Sequence, residues 1–161
     1  MPGVKRVPEV IEFRPPDLGE VVTRMAWLEE RAGGWVNFQP EVRGVPPRRP
    51  SALVSLFERR PPELTLATWA PGRRRGPQAE PATVGIQHGR PDTVRSLLVR
   101  AGLALPPGWR LVQDRPRAGL VARLPAATPH EEVLAWLLEA VQVVSSFPIT
   151  GTWRALVHHP R

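Results

Sequence analysis

The stretch from Trp109 to Val144, WRLVQDRPRAGLVARLPAATPHEEVLAWLLEAVQVV, decides the fold class. Its first half reads as two short strands, Trp109 to Asp114 and Leu120 to Leu124, folded back around Arg115-Pro116-Arg117. Proline in that turn pre-sets φ for a tight reversal. The second half changes period from two to 3.6, with Val133, Leu137, Ala140, Val141 and Val144 on one helical stripe. Thr128 reads as the N-cap, Pro129 takes the first helical position and Glu131 completes a capping box. A hairpin followed at once by a one-sided helix points to an antiparallel sheet with helices gathered on it.

Residues on either side extend the same pattern. Ala82, Val84, Ile86 and His88 share one face of a strand, alternating with Thr83, Gly85 and Gln87. A helix from about Pro91 to Ala101 follows, with Val94, Leu97, Leu98 and Ala101 at helical spacing and Gly102 as its stop. Further upstream, Ala52 to Phe57 and Leu64 to Trp69 read as two strands of a hairpin turned by Arg59-Arg60-Pro61-Pro62. The intervening segments, Trp35 to Pro50 and Pro71 to Pro81, read as a proline-broken connection and a long, basic, mobile loop. Near the start, Asp17 and Glu20 suggest a capping box for a helix carrying Leu18, Val21, Val22, Met25, Leu28 and Ala32, ended by Gly33-Gly34. Residues 1–16 form an N-terminal arm in which Glu9 to Phe13 has strand character, and Gly151 to Val157 is a last strand. The class is therefore α+β, a mostly antiparallel sheet with about three helices in the order α-β-β-β-α-β-β-α-β. With 161 residues, no internal repeat and no boundary linker, one domain over 1–161 is expected.

Composition narrows the functional classes. There is no cysteine, which removes disulfides and thiolate metal sites and fits a reducing compartment. No apolar run has signal-peptide or bilayer-spanning length, so a cytoplasmic protein without membrane contact is expected. The net charge of +7 invites a nucleic-acid reading, but Lys5 is the only lysine. Abundant Ala, Pro, Gly, Val and Arg is also what GC-rich codons give to any protein.

Catalytic and metal-binding patterns are hard to find. His88 stands at a strand-to-helix junction, as either a ligand-facing base or a hydrogen-bonded residue at the core rim. His130-Glu131-Glu132 begins like a zinc-protease helix, but residue 134 is leucine where the second histidine belongs. His158 and His159 are adjacent, point to opposite faces of a strand and read as a solvated tail. No serine lies in a Gly-x-Ser-x-Gly elbow, and Gly72-Arg73-Arg74-Arg75-Gly76 lacks the end of a phosphate loop. The expectation is no enzyme, no metal and no cofactor.

Two surface features remain as candidates for binding. Arg43, Arg48, Arg49, Arg59, Arg60, Arg73, Arg74, Arg75, Arg115 and Arg117 all fall in predicted turns, where they either gather into a phosphate-binding surface or stay solvated. Trp35, Trp69 and Trp109 would supply stacking to such a surface, although the last two alternate with apolar residues as core does. The second feature is the wide apolar arc of the last helix, where Leu134, Trp136, Leu138 and Val143 lie off the main stripe. They are either buried on a second side or form a docking patch.

The strings Thr68-Trp69-Ala70-Pro71, Gly85-Ile86-Gln87-His88-Gly89, Gly108 to Asp114 and Trp153-Arg154-Ala155-Leu156 resemble a set of uncharacterised actinobacterial proteins, a likeness that implies no activity. The element order resembles that of type III secretion chaperones and their non-secretory relatives. That resemblance implies a dimeric protein-binding module without cofactors, though the final strand around Trp153 departs from it. The function expected is thus a non-catalytic protein-binding or chaperone-like module, self-associating or with a protein partner. A nucleic-acid-associated protein using its arginine loops is the alternative.

Overall fold

The computed structural model describes residues 6–44 and 65–161. Along the chain these form β1 (Glu9–Phe13), α1 (Gly19–Glu30), β2 (Trp35–Val42), β3 (Leu66–Ala70), the short pair β4 (Arg73–Arg75) and β5 (Gln78–Glu80), β6 (Thr83–Gln87), α2 (Val94–Arg100), β7 (Arg110–Arg115), β8 (Gly119–Arg123), α3 (His130–Val144) and β9 (Ile149–His158). Seven strands make one sheet in the order β1-β9-β2-β3-β6-β8-β7. Every pairing in it is antiparallel. With three helices, this is the α+β class that the hairpin-and-helix pattern predicts.

Strand alternation explains why the helices all lie on one side. Val36 and Phe38, Ala67 and Trp69, Val84 and Ile86, Leu120 and Ala122, and Trp153, Ala155 and Val157 point to the same face and are buried. They join Val21, Met25 and Leu28 of α1, Val94, Leu97 and Leu98 of α2, and eight buried residues of α3 in one core. Complete burial of a side chain as large as Trp69 or Trp153 contributes roughly 2–3 kcal/mol each. The intervening residues face the other way, where no described helix lies.

α3 is the hub of this core. It packs on β3 and is flanked by α1 and α2, so three sides of it are covered. Leu134, Trp136 and Leu138 are consequently core residues, 0%, 7% and 4% exposed. Of the two readings left open for them, burial on a second side holds and an exposed docking patch does not. Trp136 donates its indole N–H to the Ala104 carbonyl at 3.0 Å and packs edge-on to Trp109 with ring centroids 4.9 Å apart.

Local chemistry departs from expectation at several points. Residues 35–42, expected as a connection, form the interior strand β2, because Val36 and Phe38 supply the period-two burial. Pro40 pairs with Trp153 of β9 immediately before the register shift between Pro40 and Val42, a bulge of the kind at which a strand tolerates proline. The expected strand Ala52 to Phe57 and the Arg59–Pro62 turn lie outside the described residues; β3 instead pairs with β2 and β6. The loop from Pro71 to Pro81 is structured as the β4–β5 hairpin. Neither expected capping box forms: α1 begins at Gly19 after Leu18, and α3 at His130 after Pro129, without side-chain caps. The Thr128 hydroxyl turns away to donate to the Pro125 carbonyl at 2.7 Å. α2 does have its cap, the Thr93 hydroxyl accepting from the Ser96 N–H.

Candidate functional site

The uncovered face of the sheet can be read row by row from the strand register. In the middle row Leu156 pairs with Asn37, Asn37 with Thr68, Thr68 with Gly85, and Gly85 with Val121. Small side chains in the centre leave a shallow depression of about 270 Å³ over β3, β6 and β8, lined by residues that include Thr68, Gly85, Gln87, Gln113 and Val121. No titratable side chain lines it.

The next row is different in character. His158 pairs with Trp35, Ala70 with Thr83, Thr83 with Arg123, and Arg123 with Arg110. Continuing the β2–β3 register by one residue sets Ala70 beside Trp35. The row thus begins in an aromatic pair, passes over two small residues and ends in two arginines. The Trp35 and His158 rings are stacked, 4.4 Å between centroids and 11° between planes, and Trp35 remains 40% exposed. A hydrogen-bond chain holds the histidine: the Thr68 hydroxyl donates to Asn37 Oδ1 at 2.8 Å, and the Asn37 amide reaches His158 Nε2 at 3.3 Å. Burial holds the His158 imidazole below its ordinary pKa, which favours the neutral ring that accepts this bond.

Arg110 and Arg123 are both exposed and directly opposite across β7 and β8, and neither has an anionic partner among the described residues. Like charges in that position are destabilising. The β4–β5 hairpin leaves the sheet at the same end, between the last residue of β3 and the first of β6, and carries Arg73, Arg74 and Arg75 along β4. Arg73 and Arg74 are exposed and likewise unpaired among the described residues. Arg115 and Arg117 lie at the opposite end, where the Arg117 N–H bonds the Arg90 carbonyl at 3.0 Å. The arginines of the predicted turns therefore fall into separate groups and not one, while Arg48, Arg49, Arg59 and Arg60 lie outside the described residues.

Charge is uneven among the helices, which share one side of the sheet: α2 carries the exposed Arg95 and Arg100 and no carboxylate. α1 and α3 carry six carboxylates, Glu20, Glu29, Glu30, Glu131, Glu132 and Glu139, against the single arginine Arg24. Arg110 and Arg123 carried no signal in the sequence, since both sit in strands and only the register makes them neighbours.

His88 is packed, 5% exposed, with Nδ1 accepting the Arg90 N–H at 3.2 Å and Nε2 facing no partner. It lines neither the depression over β3, β6 and β8 nor the hollow at Ser145–Ile149, and nearby Asp114 is occupied by the Val94 and Arg95 N–H groups at 3.0 Å. The other hollow, at Ser145–Ile149, has no titratable lining. His130 Nε2 lies 3.0 Å from Glu29 Oε2, out of line for a hydrogen bond, with its ring edge-on to Trp69. His159 meets Glu9 at 3.0 Å and Trp27 edge-on. The two terminal histidines are thus built into β9 and its end and are not a solvated tail. Among the described residues no group of three or more His, Cys, Asp or Glu is placed to hold a metal, and no helix is long and apolar enough to cross a membrane.

No family model matches this chain, and neither the curated proteins nor the solved structures searched give a match.

Proposed function

We propose that the protein is a non-catalytic binding module that takes a nucleic acid on the uncovered face of its sheet. The observation that carries this reading is the pair Arg110 and Arg123, opposed across β7 and β8 on the open face with no anionic partner among the described residues. An anionic chain supplies the missing counter-charge, and phosphate contacts release counterions from the ligand. Fluorescence anisotropy with labelled RNA and DNA tests it. With three phosphate contacts to a single strand, affinity falls by about 20-fold between roughly 50 and 200 mM salt. The triple variant R73A/R74A/R75A weakens binding, and no binding at low salt refutes the reading.

A second reading, a protein-binding or chaperone-like module that self-associates, is favoured by two exposed apolar residues, Val10 on edge strand β1 and Val112 on edge strand β7. Its surface is a sheet edge, since the α3 residues are core. A stoichiometric partner that survives nuclease treatment, or a dimer by light scattering that V10D or V112D dissolves, would favour it over the first.

A further inference from the structure

We infer that the ligand of this face is a single strand, held by stacking an unpaired base on Trp35 while its phosphates run toward Arg123 and Arg110. This inference rests on the nucleic-acid reading above and adds what that reading leaves open.

Arginines alone do not distinguish a duplex from a single strand, because both present phosphates. The aromatic end of the row does. An indole that is 40% exposed on an open sheet face offers a π-surface to any base that is free to splay out. In a duplex the bases are stacked on one another and unavailable. The opposite side of Trp35 is backed by the His158 ring, which is itself fixed by the Asn37–Thr68 chain, so the platform is pre-organised. Little ordering entropy is then lost on binding.

The spacing suits a chain laid across the strands. Trp35 on β2 and Arg123 on β8 are three strands apart, roughly 14 Å, and Arg110 lies one strand further. Between them Ala70 and Thr83 are small, and the depression over Thr68 and Gly85 adjoins them. A flexible strand of a few nucleotides can lie in that trough with a base on the tryptophan and phosphates at the arginines.

The test uses the whole protein with a fluorescein-labelled oligothymidylate of about 12 nucleotides, and a duplex of the same length, by anisotropy at low salt. The single strand should bind the more tightly. Trp35→Ala should weaken it by about tenfold, the loss of one stacked base, while changing duplex binding less than about twofold. Trp35→Phe keeps a ring and should recover most of the loss. The double variant R110A/R123A should make the logarithmic salt slope for the single strand shallower by about 1.4, two contacts at about 0.7 each. That variant keeps the proposal testable if Trp35→Ala fails to fold. Equal affinity for duplex and single strand, or a single-strand affinity that Trp35→Ala leaves unchanged, overturns the stacking inference and leaves the nucleic-acid reading standing. No binding of either oligonucleotide overturns both, and so does a nuclease-resistant protein partner lost in Trp35→Ala and R110A/R123A.

Discussion

Arg123→Glu separates stability from binding in a single substitution. Arg123 lies opposite Arg110 with Cβ atoms about 5 Å apart, as for any directly opposed cross-strand pair. The guanidinium charges sit at the ends of exposed side chains that can splay apart. The repulsion in water of two unit charges about 5 Å apart, about 0.8 kcal/mol, is therefore an upper bound before screening. A Debye length of about 10 Å at 0.1 M salt removes a further part. Reversing one sign turns the repulsion into an attraction, so the variant should gain about 0.5–1 kcal/mol at low ionic strength. For a chain of this size that raises the melting temperature by roughly 1–4 °C, and the gain should shrink as salt is added. Binding should move the other way. Losing one phosphate contact makes the salt slope for a single strand shallower by about 0.7, and placing a carboxylate there repels the ligand as well. Melting curves by tryptophan fluorescence and anisotropy on the same preparations read both quantities. A variant that melts lower than the wild type would mean that Arg123 has an attractive partner. A variant with unchanged affinity and slope would place the pair outside the interface.

Other consequences follow from the packing. Leu134→Ala should cost about 2–5 kcal/mol in urea unfolding, as a fully buried leucine does, whereas a surface patch would lose almost nothing. Gly119 has φ +119°, and a Cβ there would run into the Ile86 carbonyl oxygen; Gly119→Ala should therefore destabilise by at least about 1–3 kcal/mol in the same assay. His88 has a pKa lowered by burial first and by Arg90 as well, opposed by Asp114 and Asp92. Because the unfolded chain takes up a proton more readily, stability should be full above about pH 6.5 and decline as the pH falls below it. His88→Gln should flatten that decline in pH-dependent unfolding, leaving the contribution of His158, whose pKa is lowered in the same direction.

The fold was legible where period and burial agree. The β7–β8 hairpin, β6 and the main stripe of α3 all lie where the sequence predicts them, because each has an apolar phase that only one secondary structure satisfies. β2 was hidden by Pro40, which reads as a strand breaker when the bulge that follows it in the β9 pairing is unknown. The capping boxes misled for a related reason. Asp17 and Thr128 have the right chemistry, but each helix starts one or two residues later, and Thr128 finds a nearer carbonyl. The wide arc of α3 was ambiguous because a helix stripe says which residues are apolar and not how many neighbours surround them. Only the docking of α1 and α2 on either side shows that Leu134, Trp136 and Leu138 are spent on the core.

The candidate site was harder to read than the fold because its residues meet through register. Arg110, Arg123, Thr83 and Trp35 are separated by up to 88 positions in the chain, and no motif spacing links them. What places them in one row is a phase relation. Once Val36, Trp69, Val84 and Ala122 face the helices, the residue next to each along its strand must face away, since side chains alternate. The same hydrophobic pattern that fixes the core therefore also fixes the outward row. A one-residue slip of β8 would move Arg123 to the helix side and Ala122 to the open face, a change the core cannot accept. The basic-aromatic row is thus as strongly specified as the core behind it, and its arginines are held in opposition even though they repel. That is the physical reason to look for an anion between them.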